Sequence, residues 1–433
     1  MKMYENICGL YVAKEEKRLI KHIMPEYFVD QNIGTKNIGI EYAIRFLQNQ
    51  LNEILNSFLN GGFSRKGFVF YPFIKDVSRE NMDRMKRLRK IALLLDKNGY
   101  DFAGSIRIFN EGISARTFPG IISSLYMDFS KIKNEGNKRV KKPKCGEFGI
   151  NDCKKDQVFL KPLGDLKDYA NEKLRGHLAG FYLHGSLATK DYVKGWSDVD
   201  TISIVSRETL ENPKMLMELR DHMFRARKFF YQVDPLQHHG SIMIAEYDLK
   251  NYCQAYFPVE IFRYSKSFFE DDVEMQFKIR GYSSEAMAKM FWFVSYFRAI
   301  GMAKIHNIGS HEAKSLLHAV TLFPALYLQA RGSLMYKKFS FNKAKRHFGG
   351  ETWKVIDYVS SLRNNWKGFG AFPLIKSFSD INPLLCYRIN ARLMDIFSGI
   401  SKKNKINTEY ISREMLSLSE QAWGKVRENA GKI

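Results

Sequence analysis

The sequence predicts an α+β protein: a mixed sheet with flanking helices, followed by a helical bundle and preceded by an unassigned α/β N-terminal region. Residues 181–205 contain two short apolar runs separated by a polar loop, as expected for neighbouring strands. From about residue 276 onward, apolar residues recur at helical spacing. At 433 residues the chain is too long for a single hydrophobic core, so several domains are expected.

Four segments are predicted in chain order. They are an α/β region of unknown function at 1–130, a basic linker at 131–160, a sheet-bearing domain at 161–275 and a helical domain at 276–433. In the first segment, apolar spacing predicts helices from Ile40 to Phe58 and from Ser78 to Asn98. Short apolar pieces at 67–73 and 105–109 predict strands.

The linker prediction depends on composition. Residues 131–156 contain nine Lys or Arg against four Asp or Glu, and few large apolar side chains. Such a segment is typical of an exposed tether. Beyond it, helices are predicted at 166–177 and at 212–230, the second with Pro213 in its first turn.

The stretch 181–205 carries the strongest chemical signal. Gly185 and Ser186 follow the first apolar run, and Asp198 and Asp200 stand at the start of the second. Because side chains alternate along a strand, the two carboxylates should point the same way, where they repel each other unless a cation lies between them. Oxygen ligands of this kind suit Mg²⁺. A helix starting at Ser186 would add unpaired backbone amides that bind phosphate, and Gly185 would allow close backbone approach.

These residues resemble a known signature. Gly185 and Ser186, a gap of eleven residues, and Asp198-Val199-Asp200 are similar to the motif of the DNA polymerase beta-like nucleotidyltransferases, which include minimal and kanamycin-type nucleotidyltransferases, CCA-adding enzymes and poly(A) polymerases. The resemblance implies a catalytic domain at 161–275 with a nucleotidyltransferase-type mixed sheet. It also implies transfer of a nucleoside monophosphate from a nucleoside triphosphate to an acceptor hydroxyl, with Mg²⁺ or Mn²⁺ held by Asp198 and Asp200.

Members of that family generally add a third carboxylate from a neighbouring strand. Asp234 is the first choice here, because it precedes an apolar run at 241–245 that could pair with 202–205. Pro235 disfavours a central strand position, so Asp234 could instead cap a turn. The alternatives are Glu246 and Glu260, or a histidine, His238 or His239, acting as a base.

Nucleotide contacts are predicted for Gly185, Ser186 and Lys190, with Lys190 reaching the triphosphate. The C-terminal helices predicted at 283–300 and after Ser310 loosely resemble those that close over the nucleotide in kanamycin-type enzymes, which implies a base-contacting role for Lys314 or Lys337. Basic residues alternate with Phe339 and Phe341, a pattern that suits single-stranded nucleic acid as well as the base of a helical bundle.

The overall charge points to the acceptor. A net charge of +22 and a pI near 9.5 favour a polyanion, so RNA or another nucleic-acid end is the expected acceptor. A small molecule, a protein side chain, or a non-catalytic nucleic-acid-binding role for the same fold are the alternatives. Five scattered cysteines and no apparent signal peptide or membrane span predict a cytoplasmic protein with reduced thiols. The sequence leaves the oligomeric state open.

Overall fold

Helices dominate this chain, and its strands are short. The computed structural model describes residues 4–7, 10–24, 39–60, 77–132, 139–149, 151, 154–237, 239–270, 275–303, 308–367, 382–397 and 406–430. The strands are β1 Tyr4–Ile7, β2 Leu10–Ala13, β3 Arg139–Lys141, β4 Gly146–Glu147, β5 Leu178–His184, β6 Asp200–Val205, β7 Ile242–Ala245, β8 Lys266–Ser267 and β9 Phe277–Ile279. The helices are α1 Lys17–Ile23, α2 Ile40–Leu59, α3 Arg79–Lys97, α4 Ala103–Asn110, α5 Phe118–Ser130, α6 Gln157–Tyr169, α7 Gly185–Ala188, α8 Arg207–Glu211, α9 Pro213–Val233, α10 Ser283–Ala303, α11 Ser310–Ala330, α12 Lys337–Lys345, α13 Gly350–Asn364, α14 Pro383–Phe397 and α15 Thr408–Ala430. The molecule is therefore an α+β protein, as predicted.

The main sheet has five strands in the order β4-β8-β5-β6-β7. Strand β5 is antiparallel to β6 and β8, whereas β6 and β7 run parallel, so the sheet is mixed as predicted. In β6 the residues from Thr201 to Val205 are all buried, so both faces of this strand are covered. The register pairs His184 with Asp200, so the turn that starts at Gly185 lies beside the end of β6 that carries the aspartates.

Helices α2 to α5 pack on this sheet unit. Helix α2 has the predicted span, and α3 begins after Ser78, whose side chain accepts a hydrogen bond from the Asn81 amide at 3.3 Å. The strand predicted at 105–109 is wrong: these residues lie in α4, where Ser105 and Phe109 are buried four residues apart on one helix face. The strand predicted at 67–73 lies outside the described residues.

The predicted basic linker is partly ordered into sheets. Strand β3 pairs with β9 antiparallel, and β4 pairs with β8 at the edge of the main sheet. Backbone hydrogen bonding to these strands fixes a segment whose side chains alone indicated an exposed tether. The next helix also begins earlier than predicted, because α6 starts at Gln157 and its helical turns continue to Leu174.

The C-terminal helices form a second core with the start of the chain. Helices α10 and α11 have the predicted positions, and α9 begins at Pro213 with the Asn212 side chain as its cap. Apolar residues of β2 and α1 pack against α10, α11, α13 and α15. No helix in the described part of the chain is long and apolar enough to cross a membrane.

Core packing groups the chain differently from the predicted segments. Residues from α2 to α5 share one hydrophobic cluster with β5, β6, β7 and α9, whereas apolar residues between Leu10 and Met24 share a cluster with the helical C-terminal part. The N-terminal third therefore contributes to both cores. A cavity lies where the two cores meet.

Candidate functional site

A cavity of about 700 Å³ opens between the main sheet and the C-terminal helices. A volume of this size is ordinary for a small-molecule or nucleotide pocket. The sheet side contributes the turn after β5, the start of β6 and the loop before β7. The helical side contributes α10 to α13. The lining residues used below are Gly185, Ser186, Asp198, Asp200, His239, Lys289, Tyr336, Lys337, Lys338, Phe341 and Arg363.

Gly185 holds the closest backbone approach in the site. Its φ is +72°, a conformation that glycine adopts far more readily than other residues. A Cβ placed on it would lie 2.2 Å from Oδ2 of Asp200. The close neighbour of this glycine in the structure is thus the Asp200 carboxylate.

The helix predicted to start near Ser186 is only one turn long. The Ser186 hydroxyl donates a hydrogen bond to Oγ of Ser197 at 2.9 Å, and Ser186 lines the cavity as expected for a ligand contact. Lys190 differs from its prediction. It is exposed, has φ of +60° and does not line the cavity.

Asp198 and Asp234 meet around a lysine from the helical part. Nζ of Lys314, on α11, contacts Oδ1 of Asp198 and lies 2.5 Å from Oδ2 of Asp234. All three side chains are almost completely buried. Asp234 ends helix α9, and its Oδ1 accepts a hydrogen bond from the Leu236 amide at 3.0 Å. It thus caps a turn, which was the alternative considered for it, and its carboxylate also contacts Lys314 beside Asp198.

His239 connects the two aspartates of the strand motif. Its Nε2 lies 3.1 Å from Oδ1 of Asp200 and 3.5 Å from Oδ2 of Asp198. Strand β7 follows His239 and pairs with β6, which is the pairing predicted for 241–245. Gln237 holds this loop in place. Its side-chain oxygen accepts a hydrogen bond from the Val199 amide, and its side-chain nitrogen donates to the carbonyls of Val199 and His239.

The other candidates for the third position lie elsewhere. Glu246 follows the opposite end of β7 and binds Arg207. Glu260 binds Lys141 at 2.5 Å and Arg263 at 3.4 Å. His238 lies outside the described residues. The structure therefore brings Asp234 and His239 to the aspartate pair, and neither glutamate.

Burial and close charges shift the pKa values of the cluster in opposite directions. Burial and the neighbouring Asp198 raise the pKa of Asp234 to about 8, although Lys314 opposes this. Burial would also raise the pKa of Asp200, but the hydrogen bond from His239 and the charges of nearby histidines lower it to about 2. Burial would lower the pKa values of Lys314 and His239, yet the carboxylates around them raise both. Lys314 and His239 are therefore the cations of this cluster.

A second group of cations lines the helical side of the cavity. Nζ of Lys337 donates to Oγ1 of Thr321 at 2.9 Å, and burial together with the charge of Arg363 lowers the pKa of Lys337 to about 8. The buried Nε of Arg363 has no hydrogen-bond partner among the described residues. Asp198 and Asp200 are close enough to influence the pKa of Lys337. Two cations thus face the aspartate pair across the cavity.

Several residues of the site carry no signal in the sequence. Arg363 stands in an ordinary amphipathic helix, and no local pattern separates it from a solvated arginine. Gln237 has no motif of its own, since a glutamine beside histidines is unremarkable in a loop.

Lys314 and Lys337 were predicted as nucleotide contacts. The structure places Lys337 on the cavity wall and Lys314 behind it, between two carboxylates.

The donor chemistry of the cluster fits a hard divalent cation. Asp198 and Asp200 both line the cavity, one nitrogen atom of His239 reaches both of them, and oxygen donors suit Mg²⁺. Within the described residues, no set of three or more His, Cys, Asp or Glu side chains forms a complete metal cage. Magnesium commonly relies on one or two carboxylates, waters and substrate phosphates, so a pair of aspartates is sufficient.

Comparisons with protein-family models, with curated proteins and with solved structures gave no match to the chain.

Proposed function

We propose that the protein is a Mg²⁺- or Mn²⁺-dependent nucleotidyltransferase that moves a nucleoside monophosphate from a nucleoside triphosphate to an acceptor hydroxyl. One observation carries this proposal. The carboxylates of Asp198 and Asp200 line the same cavity as the cations of Lys337 and Arg363. A triphosphate needs cationic partners for its terminal phosphates and an acidic site that binds a metal ion at the reacting phosphate.

In this proposal the residues of the chain mainly position and neutralise charge. Lys337 and Arg363 hold the β- and γ-phosphates, and the Ser186 hydroxyl contacts the triphosphate from the sheet side. Asp198 and Asp200 would hold the metal ion, which when bound supplies Lewis-acid stabilisation of the α-phosphate. The apolar part of the cavity, including Phe341, accommodates the base.

The proposed reaction forms one bond and breaks one. The acceptor oxygen forms a bond to the α-phosphorus, the bond from that phosphorus to the bridging oxygen breaks, and pyrophosphate leaves. The proton of the acceptor hydroxyl passes to the carboxylate cluster. Asp234 does not line the cavity; it is linked to Asp198 through Lys314, which contacts both carboxylates. Its raised pKa makes it a suitable place for that proton.

Nucleic acid is the proposed acceptor. The chain has a net charge of +22, and a strongly basic protein attracts polyanions through counterion release and long-range steering. A small molecule or a protein side chain would need no such excess of positive charge.

The test is transfer of label from α-labelled nucleoside triphosphates, with Mg²⁺ and total RNA or cell extract. Asp198→Asn and Asp200→Asn should each lower transfer at least about 100-fold, because each carboxylate contributes several kcal/mol of charge stabilisation. Asp221→Asn, on α9 with Arg225 as its partner at 2.9 Å, is the matched control and should transfer normally. Transfer retained in either active-site variant would refute the proposal, and label on protein or small molecules would change the acceptor.

One feature supports a second candidate, a non-catalytic nucleic-acid-binding protein of the same fold. Lys314 and His239 already contact the carboxylates that a metal ion would use. The two candidates differ in Mn²⁺ binding, which electron paramagnetic resonance measures directly. Saturable Mn²⁺ binding that is lost in Asp198→Asn supports the enzyme. RNA binding with neither Mn²⁺ binding nor label transfer supports the binding protein.

A further inference from the structure

Three aromatic rings form a cluster at the boundary between the sheet unit and the helical part. Tyr264 ends the short helix Val259–Tyr264 that precedes β8, while Tyr336 caps α12 and Phe339 lies in its first turn. The ring centroids are 4.7 Å apart for Tyr264 and Tyr336, 5.5 Å for Tyr264 and Phe339, and 6.0 Å for Tyr336 and Phe339. We call these three residues the ring cluster.

The ring cluster is open to solvent on its outer side. Phe339 is 49% exposed and Tyr264 is 37% exposed, whereas Tyr336 is buried. Each ring carries a large apolar area, and on the two outer rings part of that area is open to solvent. The outer rings therefore present apolar faces that a flat ligand can cover.

The cluster is continuous with the candidate site. Tyr336 lines the cavity, and its hydroxyl lies 3.3 Å from Oγ1 of Thr189. That Thr189 hydroxyl donates to the carbonyl of Gly185 at 3.2 Å, and Gly185 touches Asp200. A polymeric ligand lying across Phe339 and Tyr264 would thus place its next monomer at the mouth of the cavity.

Cations surround the rings. Helix α12 carries four lysines and no acidic residue in nine positions. Lys338, beside Phe339, is about half exposed and lies 3.4 Å from Asp191, and both residues line the cavity. Arg263, beside Tyr264, is also largely exposed, although Glu260 contacts it at 3.4 Å. Exposed rings between basic side chains are the combination that binds single-stranded nucleic acid, since bases stack on rings and cations meet phosphates.

We propose that the ring cluster is a stacking platform for single-stranded nucleic acid, and that it guides a strand whose terminal hydroxyl enters the cavity. The inference deepens the proposed function, because it identifies the acceptor as the end of a single strand. Bases next to the terminal nucleotide stack on Phe339 and Tyr264, and Lys338 and Arg263 contact the backbone.

The test measures binding without chemistry. A short fluorescein-labelled single-stranded RNA is titrated with protein, without triphosphate or divalent cation, and followed by fluorescence anisotropy. Phe339→Leu and Tyr264→Leu should each weaken binding about 5- to 150-fold, because base stacking on one ring is worth about 1–3 kcal/mol. Phe339→Trp, which keeps an aromatic face, should bind at least as tightly as the unchanged protein. Tyr296→Leu replaces an aromatic residue of α10 that is 41% exposed and does not line the cavity, and it should bind normally.

Comparison strands decide what is recognised. The matching DNA strand separates a requirement for the 2′-hydroxyl from stacking alone, and the RNA duplex should bind more weakly because its bases are already stacked. Equal binding of duplex and single strand, or unchanged binding by both leucine variants, would overturn the proposal. If RNA binding depends on the ring cluster but no label is transferred, the proposed enzymatic activity is refuted and the stacking platform stands.

Discussion

At the scale of single residues, the site depends on the absence of a Cβ atom at Gly185. The turn after β5 needs a positive φ, and the missing Cβ leaves room for the Asp200 carboxylate. Any other residue there would add backbone strain and push a predicted metal ligand out of place. Strain and displacement can be separated experimentally, because the chain contains a second glycine with similar backbone geometry.

Gly185→Ala should lower both stability and nucleotidyl transfer. The left-handed backbone costs alanine about 1–2 kcal/mol, and the new Cβ would lie 2.2 Å from Oδ2 of Asp200, so that carboxylate must move. A displacement of about 1 Å can lower the rate about 100-fold. Urea unfolding and label transfer measure the two effects.

Gly99→Ala is the control. Gly99 has φ of +86°, is exposed, and leaves open space within 4 Å of the position that a Cβ would occupy. It should therefore show a similar loss of stability and normal transfer. Equal transfer by the two alanine variants would contradict the role assigned to Gly185.

The aspartate pair was predictable because its signal is local. The motif places Asp198 and Asp200 two residues apart at the start of a strand; in the structure β6 begins at Asp200, Asp198 lies just before it, and both line the cavity. Asp234 was harder, because its contact with Asp198 passes through Lys314, which lies 80 residues further along the chain. Lys190 looked suitable by sequence distance, but its side chain is exposed and does not line the cavity, although the next residue, Asp191, does.

At the scale of elements, helix α2 closes the edge of the main sheet. Asn56 and Asn60 donate side-chain hydrogen bonds to the carbonyls of Met243 and Ser241, each at 2.8 Å. Gln48 and Asn52, two turns and one turn before Asn56, donate to the carboxylate of Asp248 at 2.8 and 3.4 Å. Amide side chains on one helix face thus satisfy the exposed edge of β7 and the turn after it. The sequence predicted this helix from its apolar face but did not indicate what its asparagines bind.

Asp248 should make stability depend on pH in a defined window. Burial raises its pKa from 3.8 to about 6, although hydrogen bonds from Gln48 and Asn52 oppose this. Between pH 4 and 6 the folded protein therefore binds more protons at this site than the unfolded chain does. The contribution of Asp248 to the free energy of unfolding falls by about 3 kcal/mol in total as pH rises through this window. Above the window the contribution is constant.

Asp248→Asn cannot ionise and should lose this dependence. The difference in unfolding free energy, variant minus unchanged protein, should rise from pH 4 to pH 6 and then level off, as measured by urea unfolding at a series of pH values. Any fixed cost of replacing a carboxylate by an amide shifts the whole curve and leaves its slope unaffected. A flat difference across pH 4 to 6 would show that Asp248 has an ordinary pKa.

Elements were predicted well where one face is apolar over a long span, as in α2, α3 and α9. Elements that consist of a short apolar stretch were predicted poorly. Residues 105–109 suit a strand by composition, but Ser105 binds the Asp128 carboxylate of α5 through its amide at 2.9 Å and its hydroxyl at 2.6 Å. A tertiary contact of this kind decides between helix and strand and leaves no local trace.

At the scale of the whole molecule, the two ends of the chain meet in one core. Glu16 follows β2 and is buried against Arg298 of α10 and Trp423 of α15. These contacts span 282 and 407 residues of sequence, so no periodicity or motif could predict them. The described residues up to Met24 are consequently part of the helical unit that forms one wall of the cavity.

Glu16→Ala should destabilise the protein strongly. Arg298 donates to both carboxylate oxygens of Glu16 at 2.8 Å, and Trp423 donates a third hydrogen bond at 3.0 Å. Removing one partner of a buried ion pair leaves the other charge without its main compensation, which costs about 3–5 kcal/mol, although Glu420 remains beside Arg298. Glu15→Ala, at the exposed neighbouring position, should change stability by less than about 0.5 kcal/mol. Urea unfolding followed by circular dichroism compares the two variants, and similar midpoints would mean that the ends of the chain do not stabilise this core.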